Sequence, residues 1–284
     1  MSQSKTALVL GGGGTLGAVE TGFVRRLGEL GIPIDLVIGT SVGALNAAYV
    51  AFHDDPGHDC FQDLWAGLSS RRMYARNPFT VVRNLLGRRM SLYDSSFVRG
   101  LVRSHLHHDD FSAARIPLHI VATNLCTGTR HVFSEGPLLD AILASSAIPG
   151  IFPPVRIGND LYADGGVVAG LDIGAAVELG ATSVIAIDLR PPVMRRCPTN
   201  VVEVLTRSLQ LLAESRAACS TEHLSYGETR IVHIQPGLTT ADRAGFRDVL
   251  RLLADSYAMA CRVFDSCWDG SKLVPGHYHP GMME

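Results

Sequence analysis

The sequence predicts an α/β protein built around a mainly parallel sheet. Residues 6–10 (TALVL) and 34–39 (IDLVIG) are apolar runs that lead into glycine, as expected of buried parallel strands. The first run precedes residues 17–30, which have apolar residues at helical spacing, and the second precedes residues 42–52 (VGALNAAYVAF), which we interpret as a second helix. Strand, helix, strand and helix within about 50 residues form a βαβα unit, whose strands are parallel. We therefore expect a three-layer α/β/α sandwich with a mainly parallel central sheet.

The later elements follow the same principles. A Thr127–Gly128 turn separates two strand-like segments, and a short strand leads into a turn over residues 161–166. Asp172 is placed to cap a helix that begins there, and residues from Trp268 onward read as loop. The other predicted strands are 117–125, 129–134, 183–189 and 230–234, and the other predicted helices are 137–147, 172–179, 201–224 and 241–266.

Composition limits the class of protein. The chain has 284 residues, which suits one large α/β domain or two small ones, and 46% hydrophobic with 18% charged residues provide enough apolar material for a sizeable core. The formal net charge of -2 gives no reason to expect nucleic-acid binding. The six cysteines form no C-x-x-C pair, and the N-terminus has no secretory signal pattern. We therefore expect a reduced, cytoplasmic protein without a membrane span.

A glycine-rich segment from Gly11 to Gly17 follows the first predicted strand and opens the first helix. Backbone N–H groups at a helix N-terminus attract negative charge, and glycine lets a ligand approach the backbone closely. Residues 12–17 also fit the G-x-G-x-x-G pattern of dinucleotide sites, which requires an acidic residue at the end of the second strand. Asp35 instead begins that strand. Anion binding, a nucleotide site and a plain tight turn all remain compatible with this segment.

A G-x-S-x-G motif lies between the second strand and the second helix, with Gly39 and Gly43 on either side of Ser41. This is the context of a nucleophile elbow, in which a sharp turn exposes the serine hydroxyl. The helix that begins there also places N–H groups near a developing negative charge. The motif occurs elsewhere by chance, but its position favours Ser41 as a nucleophile over a purely structural turn.

A serine hydroxyl needs a base to act as a nucleophile, and the sequence offers two kinds. His233 comes after the serine, as in an α/β-hydrolase triad, but its setting (RIVHI) resembles the middle of a strand. A structural histidine is the simpler interpretation of His119, His131 and His233. Asp164 is followed by two glycines in a turn that presents its carboxylate, although plain Asp-Gly turns are also common.

Together these segments resemble the patatin-like phospholipases, which have a glycine-rich loop, G-x-S-x-G and D-G-[AG] in this order. Residues 144–154 (ASSAIPGIFPP) are similar to the family's A-S-x-A-x-P-x-x-F-x-P stretch, and residues 180–188 (GATSVIAID) to the helix-to-strand segment that follows. Residues 121–124 (VATN), with a Thr-Gly pair after them, resemble its middle strand and turn. The resemblance covers about residues 6–190.

The resemblance implies a patatin-like fold and a single catalytic domain over residues 1–284. Within this domain, we expect residues 53–115 to form a cap inserted over the acyl pocket. Residues 195–284 are expected to form a mainly helical C-terminal part.

The resemblance also implies a Ser–Asp dyad without a catalytic histidine, in which Ser41 is the nucleophile and Asp164 the general base. The backbone of Gly12, Gly13 and Gly14 would form the oxyanion hole. Five further glycines are expected to support these motifs, namely Gly17, Gly39, Gly43, Gly165 and Gly166. An acyl lipid is the implied substrate, and neither a metal nor an organic cofactor is implied. Because an ordinary carboxylate is a poor base for serine, we expect burial to raise the pKa of Asp164.

The chain departs from the family pattern at two places. The family usually has Arg or Lys just before the last glycine of its loop, where this chain has Leu16. Backbone binding of an oxyanion does not need that side chain, but any assistance from its charge is absent. After D-G-G the family often has Asn and Pro, where this chain has VVAGLD. We therefore expect a different local support for Asp164.

A basic segment extends from Arg71 to Arg103, with eight arginines and a single acidic residue, Asp94. Its apolar residues allow it to dock on anionic lipid as a peripheral membrane contact, and an ordinary solvated face explains it equally simply.

Three alternatives to a lipid hydrolase remain open on sequence alone, and no oligomeric state is predicted. They are a transacylase with the same site, a nucleotide-binding module that uses Gly12 to Gly17, and a non-catalytic lipid-binding protein with a degenerate site.

Overall fold

The protein is a three-layer α/β/α sandwich with a mainly parallel central sheet, as predicted. The nine strands among the described residues are β1 (Thr6–Leu10), β2 (Leu36–Thr40), β3 (Leu118–Asn124), β4 (Thr129–Phe133), β5 (Val155–Ile157), β6 (Asp160–Asp164), β7 (Ser183–Ile187), β8 (Arg230–Ile234) and β9 (Gly276–Tyr278). The computed structural model describes residues 4–54, 59–68, 91, 93–190, 197, 204, 207–208, 211, 228–238 and 249–279.

The helices of the described ranges cover both faces of this sheet. None of them has the length and apolar character needed to span a bilayer. They are α1 (Glu20–Glu29), α2 (Val42–Phe52), α3 (Asp59–Leu68), α4 (Ser96–His105), α5 (Leu138–Ser145), α6 (Ile173–Glu178) and α7 (Val249–Cys267).

The sheet has the hydrogen-bonded order β5-β6-β3-β2-β1-β7-β8-β9, and β4 pairs with β3. The strand pairs within the series β3-β2-β1-β7-β8-β9 are all parallel. Strands β4 and β6 pair antiparallel with β3, and β5 pairs antiparallel with β6. The central strands are buried at every residue, which explains why β1 and β7 read as continuous apolar runs.

Successive residues of the parallel strands point to opposite faces and build two cores. Leu8 and Leu10 belong to the larger core, which also holds residues of α1, α2, α3, α4, α5 and α7. Ala7 and Val9 belong to the smaller core on the other face, against α6. Helices α3 and α4, which like α2 lie between β2 and β3 in the sequence, therefore pack on the same face of the sheet as α2.

Strands β2 and β6 converge end to end along β3. Thr40, the last residue of β2, pairs with Val121, and Asp164, the last residue of β6, pairs with the next residue, Ala122. Because β4 pairs with residues 120–124, it overlaps both partners and must take the opposite edge of β3. Since β2 is parallel to β3 and β6 antiparallel, their carboxyl ends meet at one point on the shared edge.

Most predicted elements are confirmed, with small shifts at their ends. The predicted helix over residues 17–30 begins instead as a 3₁₀ turn over Gly14–Val19 and continues as α1. Asp172 caps α6 as predicted, because its carboxylate accepts a hydrogen bond from the Ala175 N–H at 3.0 Å. Most of the predicted helix over residues 201–224 lies outside the described residues, as does most of the segment from Arg71 to Arg103.

The prediction of loop from Trp268 onward is wrong in one place. Residues Gly276–Tyr278 form β9, which pairs parallel with β8, and His277 lies opposite His233. A three-residue strand is too short to show a periodic pattern. Its conformation is set by the open edge of β8, which supplies hydrogen-bond partners from far away in the chain.

Candidate active site

Ser41 lies in a sharp turn between β2 and α2. Its φ of 56° and ψ of -124° make it the one non-glycine residue with positive φ in the described part of the chain. Residues with side chains rarely adopt such a conformation, and they keep it only where the surroundings impose it. The G-x-S-x-G motif therefore forms the strained strand–turn–helix that characterises a nucleophile elbow.

The two motif glycines are required by close backbone contacts. A Cβ atom on Gly39 would lie 2.2 Å from the carbonyl oxygen of Gly43. A Cβ atom on Gly43 would lie 2.3 Å from the carbonyl oxygen of Leu10, at the end of β1. Because these obstacles are backbone atoms, they cannot rotate away as a side chain could. The elbow can therefore pack against β1 only with glycine at both positions.

Asp164 is the hydrogen-bond partner of the Ser41 hydroxyl. The Ser41 Oγ donates to Asp164 Oδ2 at 2.6 Å, and the two residues are only 8% and 6% exposed. The other carboxylate oxygen, Oδ1, accepts a hydrogen bond from the Gly166 N–H at 2.7 Å. A Cβ atom on Gly165 would lie 2.4 Å from the Val121 carbonyl oxygen, so the D-G-G turn also requires glycine next to the carboxylate.

Burial raises the pKa of Asp164 to about 6, as the sequence predicts. Desolvation of the carboxylate is the largest cause, and the hydrogen bonds from Ser41 and Gly166 partly oppose it. A carboxylate with this pKa is a stronger base than an ordinary aspartate and is still ionised at neutral pH.

The segment after D-G-G supports the site through its backbone. The Ala169 carbonyl oxygen accepts a hydrogen bond from the Thr40 hydroxyl at 3.1 Å. The next carbonyl, of Gly170, accepts the Gly12 N–H at 2.9 Å. This segment therefore connects the elbow to the glycine loop without the Asn and Pro that are usual in the family.

The glycine loop passes directly beside Ser41. A Cβ atom on Gly12 would lie 3.2 Å from the Cβ of Ser41. Because Gly12 already donates its N–H to Gly170, the loop N–H groups that could bind an anion are those further along, in Gly13 and Gly14. Gly14 has a φ of 60°, a left-handed conformation that favours glycine.

Leu16 in this loop and Asp35 in the segment before β2 decide how the loop can be interpreted. The Leu16 side chain is fully buried in the larger core, so this position contributes no charge to the site. Asp35 Oδ2 accepts a hydrogen bond from the Thr6 N–H at 2.6 Å, at the amino ends of β1 and β2. The acidic residue that a dinucleotide site requires is thus at the amino ends of these strands, whereas the glycine loop follows the carboxyl end of β1, which argues against the nucleotide-binding alternative.

The three histidines considered from the sequence have other neighbours. His233 lies in the middle of β8, where its Nε2 is 3.2 Å from Asp188 Oδ2 and its Nδ1 is 2.9 Å from His277 Nδ1. The His131 ring packs against Tyr162, with 5.2 Å between ring centroids. His119 lies in β3, and burial lowers its pKa. The structure thus brings Asp164, and none of these histidines, to the Ser41 hydroxyl.

A buried polar network under the glycine loop has no counterpart in the sequence predictions. Asn46 Nδ2 donates to Glu20 Oε2 at 2.6 Å and to the Gly17 carbonyl at 2.9 Å, and Asn46 Oδ1 accepts from Trp65 Nε1 at 3.0 Å. A Cβ atom on Gly17 would lie 2.7 Å from the Trp65 ring. The network joins the end of the loop to α2 and α3. The sequence did offer one signal for this network, because Glu20 is an acidic residue on the apolar face of the helical pattern of α1.

The fold is a mainly parallel α/β/α sandwich in which Ser41 lies in a sharp strand–turn–helix between β2 and α2. The family model described as patatin-like phospholipase matches residues 8–177, and the chain belongs to this family.

Curated relatives are similar to this chain over about two thirds of its length. It is 28% identical over 188 residues to patatin-like phospholipase domain-containing protein 7 of Rattus norvegicus and 29% identical over 199 residues to lysophospholipase NTE1 of Mycosarcoma maydis. It is 30% identical over 185 residues to an uncharacterised NTE family protein of Mycobacterium bovis. Each match covers 64% of this chain but only 13%, 9% and 30% of these relatives, respectively.

Proposed function

We propose that this protein is a serine-dependent lipid acyl hydrolase that cleaves carboxylic esters of phospholipids, lysophospholipids or related acyl lipids. The observation that carries the proposal is the 2.6 Å hydrogen bond from the Ser41 hydroxyl to the buried Asp164 carboxylate at a nucleophile elbow. Membership of the patatin-like phospholipase family supports the lipid substrate class. The name of the lysophospholipase relative is in keeping with the same chemistry.

In the first half of the reaction, Asp164 takes the proton from the Ser41 hydroxyl as its oxygen attacks the ester carbonyl carbon. The carbonyl oxygen becomes an oxyanion, and the N–H groups of Gly13 and Gly14 are the proposed donors to it. Gly12 shapes this loop, while its own N–H remains bonded to Gly170. Loss of one donor of this kind typically costs about 10²–10³ in rate.

The first half ends when the tetrahedral intermediate collapses and the alcohol leaves with the proton held by Asp164. Ser41 then carries the acyl group as an ester. In the second half, a water molecule attacks this ester as Asp164 accepts its proton. The bond between the acyl carbon and Ser41 Oγ then breaks, Asp164 returns the proton to Ser41 Oγ, and the fatty acid is released. Asp164 thus acts in turn as base and acid, which a carboxyl with a pKa of about 6 can do near neutral pH.

Labelling with a fluorophosphonate probe tests the proposal, because the probe reacts with an activated serine. We expect the purified wild type to be labelled at Ser41, and Ser41→Ala and Asp164→Asn to lose both labelling and ester hydrolysis while remaining folded. A folded wild type that is neither labelled nor active on acyl lipids would contradict the proposal. With an active enzyme, product analysis in the presence of an added alcohol acceptor separates hydrolysis from acyl transfer.

A further inference from the structure

The backbone of Ser41 cannot be held by regular strand pairing. The chain leaves β2 after Thr40, and the next position along the edge of β3 is already paired with Asp164. At the same time, the positive φ of Ser41 is a conformation that its surroundings must impose. Some other group therefore has to satisfy the buried N–H and carbonyl of the nucleophile residue.

The hydroxyl of Ser145 takes the place of the missing strand partner. Its Oγ accepts the Ser41 N–H at 2.8 Å and donates to the Val121 carbonyl oxygen at 2.6 Å. Because a carbonyl can only accept, the Ser145 proton must point to Val121, which leaves an Oγ lone pair facing the Ser41 N–H. Ser145 is fully buried at the end of α5, so water does not compete for either bond.

The next two residues continue the same set of contacts. Ser146 Oγ donates to the Ser41 carbonyl oxygen at 3.3 Å, and this oxygen also accepts the Ala44 N–H at 2.9 Å. The Ala147 carbonyl oxygen accepts the Asp164 N–H at 2.9 Å. Residues 145–147, here called the register segment, thus hold the backbones of both members of the dyad.

We propose that the register segment sets the position of Ser41 relative to Asp164, with Ser145 as the principal positioning residue of the reaction. The inference rests on the proposed function, because it presumes that these two residues carry out the chemistry. Ser145 acts through Ser41 and does not touch the substrate. Ser146 contributes less, because its hydrogen bond is long and the carbonyl that it contacts has a second donor.

Removal of the Ser145 hydroxyl leaves the Ser41 N–H and the Val121 carbonyl without their partner in a buried place, so the elbow should shift. A displacement of about 1 Å at a reacting atom can lower a rate about 100-fold. Because the lipid still binds in the same pocket, we expect kcat to fall while KM stays close to that of the wild type.

The experiment compares Ser145→Ala and Ser146→Ala with Ser256→Ala as a matched control. Ser256 is likewise a buried helical serine whose hydroxyl donates to a backbone carbonyl, that of Leu253 at 2.7 Å, but it lies in α7 and contacts neither member of the dyad. We expect fluorophosphonate labelling and kcat to fall about 100-fold in Ser145→Ala, a few-fold in Ser146→Ala and not at all in Ser256→Ala.

A second variant separates positioning from packing. Ser145→Cys retains the shape of the side chain but replaces the hydroxyl with a weak hydrogen-bonding thiol, so we expect it to fold and still to lose kcat. Wild-type kcat and labelling in a folded Ser145→Ala or Ser145→Cys protein would overturn the inference and leave the proposed function intact. A wild type without labelling, or hydrolysis that survives Ser41→Ala, would instead overturn the proposed function.

Discussion

The Ser41 hydroxyl donates a 2.6 Å hydrogen bond to Asp164, and burial raises the pKa of this carboxyl to about 6. In its proposed role as a base, Asp164 must be ionised, so kcat/KM should rise with pH and reach half its maximum at about pH 6. Initial rates on a soluble ester between about pH 4.5 and 8.5 will measure this limb. A half-maximum near the ordinary pKa of aspartate, with a folded enzyme throughout, would show that another arrangement of the dyad is active in solution.

Histidine substitutions separate this pH profile from that of an imidazole base. His119→Gln, His131→Gln and His233→Gln should each retain most of the activity and the same acid limb, because none of these side chains is the partner of Ser41. Steady-state kinetics and thermal melting of each variant provide the check. A folded histidine variant as inactive as Ser41→Ala would replace the proposed dyad with a triad.

The elbow glycines should be intolerant of even one added methyl group. Gly39→Ala places a Cβ atom 2.2 Å from a backbone oxygen, and we expect a loss of about 3 kcal/mol or more in the free energy of unfolding. Gly28→Ala is the matched control, because this exposed position in α1 has open space around the added atom. Alanine there should raise the free energy of unfolding by about 0.5–1 kcal/mol, since it favours the helix. Urea unfolding of both variants tests the contrast, and equal effects would refute it.

Glu20 should make the protein less stable as pH rises. Burial raises its folded-state pKa well above the usual value, so its contribution is fully present below the unfolded pKa and is lost as pH rises through the folded pKa. Between the unfolded and the folded pKa, the free energy of unfolding falls by at most about 1.4 kcal/mol per pH unit. Glu20→Gln should remove this dependence, and its advantage over the wild type in the free energy of unfolding should grow with pH.

Glu29, in the same helix, provides the control of opposite sign. The hydrogen bond from the Tyr257 hydroxyl at 2.6 Å is the main reason that its pKa is lowered. Its contribution is therefore present above the unfolded pKa and is lost as pH falls, so Glu29→Gln should bring no gain at high pH. Denaturant unfolding across the pH range measures both variants, and a Glu20→Gln difference that does not change with pH would contradict the prediction.

Local sequence patterns were sufficient to predict most of the fold. Buried parallel strands read as short apolar runs and amphipathic helices repeat about every 3.6 residues, so β1, β2, α1 and β8 could be predicted from short stretches of residues. The nucleophile elbow belongs to the same class, because a strand, a turn with two glycines and a helix are adjacent in the chain. The three-residue strand β9 has no such pattern, and its conformation depends on pairing with β8.

The sequence by itself determined the α/β class, the elbow at Ser41 and, through its family motifs, the candidacy of Asp164. Only the tertiary structure decided that these side chains meet, because their contact joins residues 123 positions apart and depends on β2 and β6 ending at neighbouring residues of β3. It also decided that Gly12 gives its N–H to Gly170 and that the Ser145 hydroxyl accepts the Ser41 N–H. Periodicity reports which face of an element is buried, whereas hydrogen bonds between distant segments depend on strand register and packing, which no local pattern encodes.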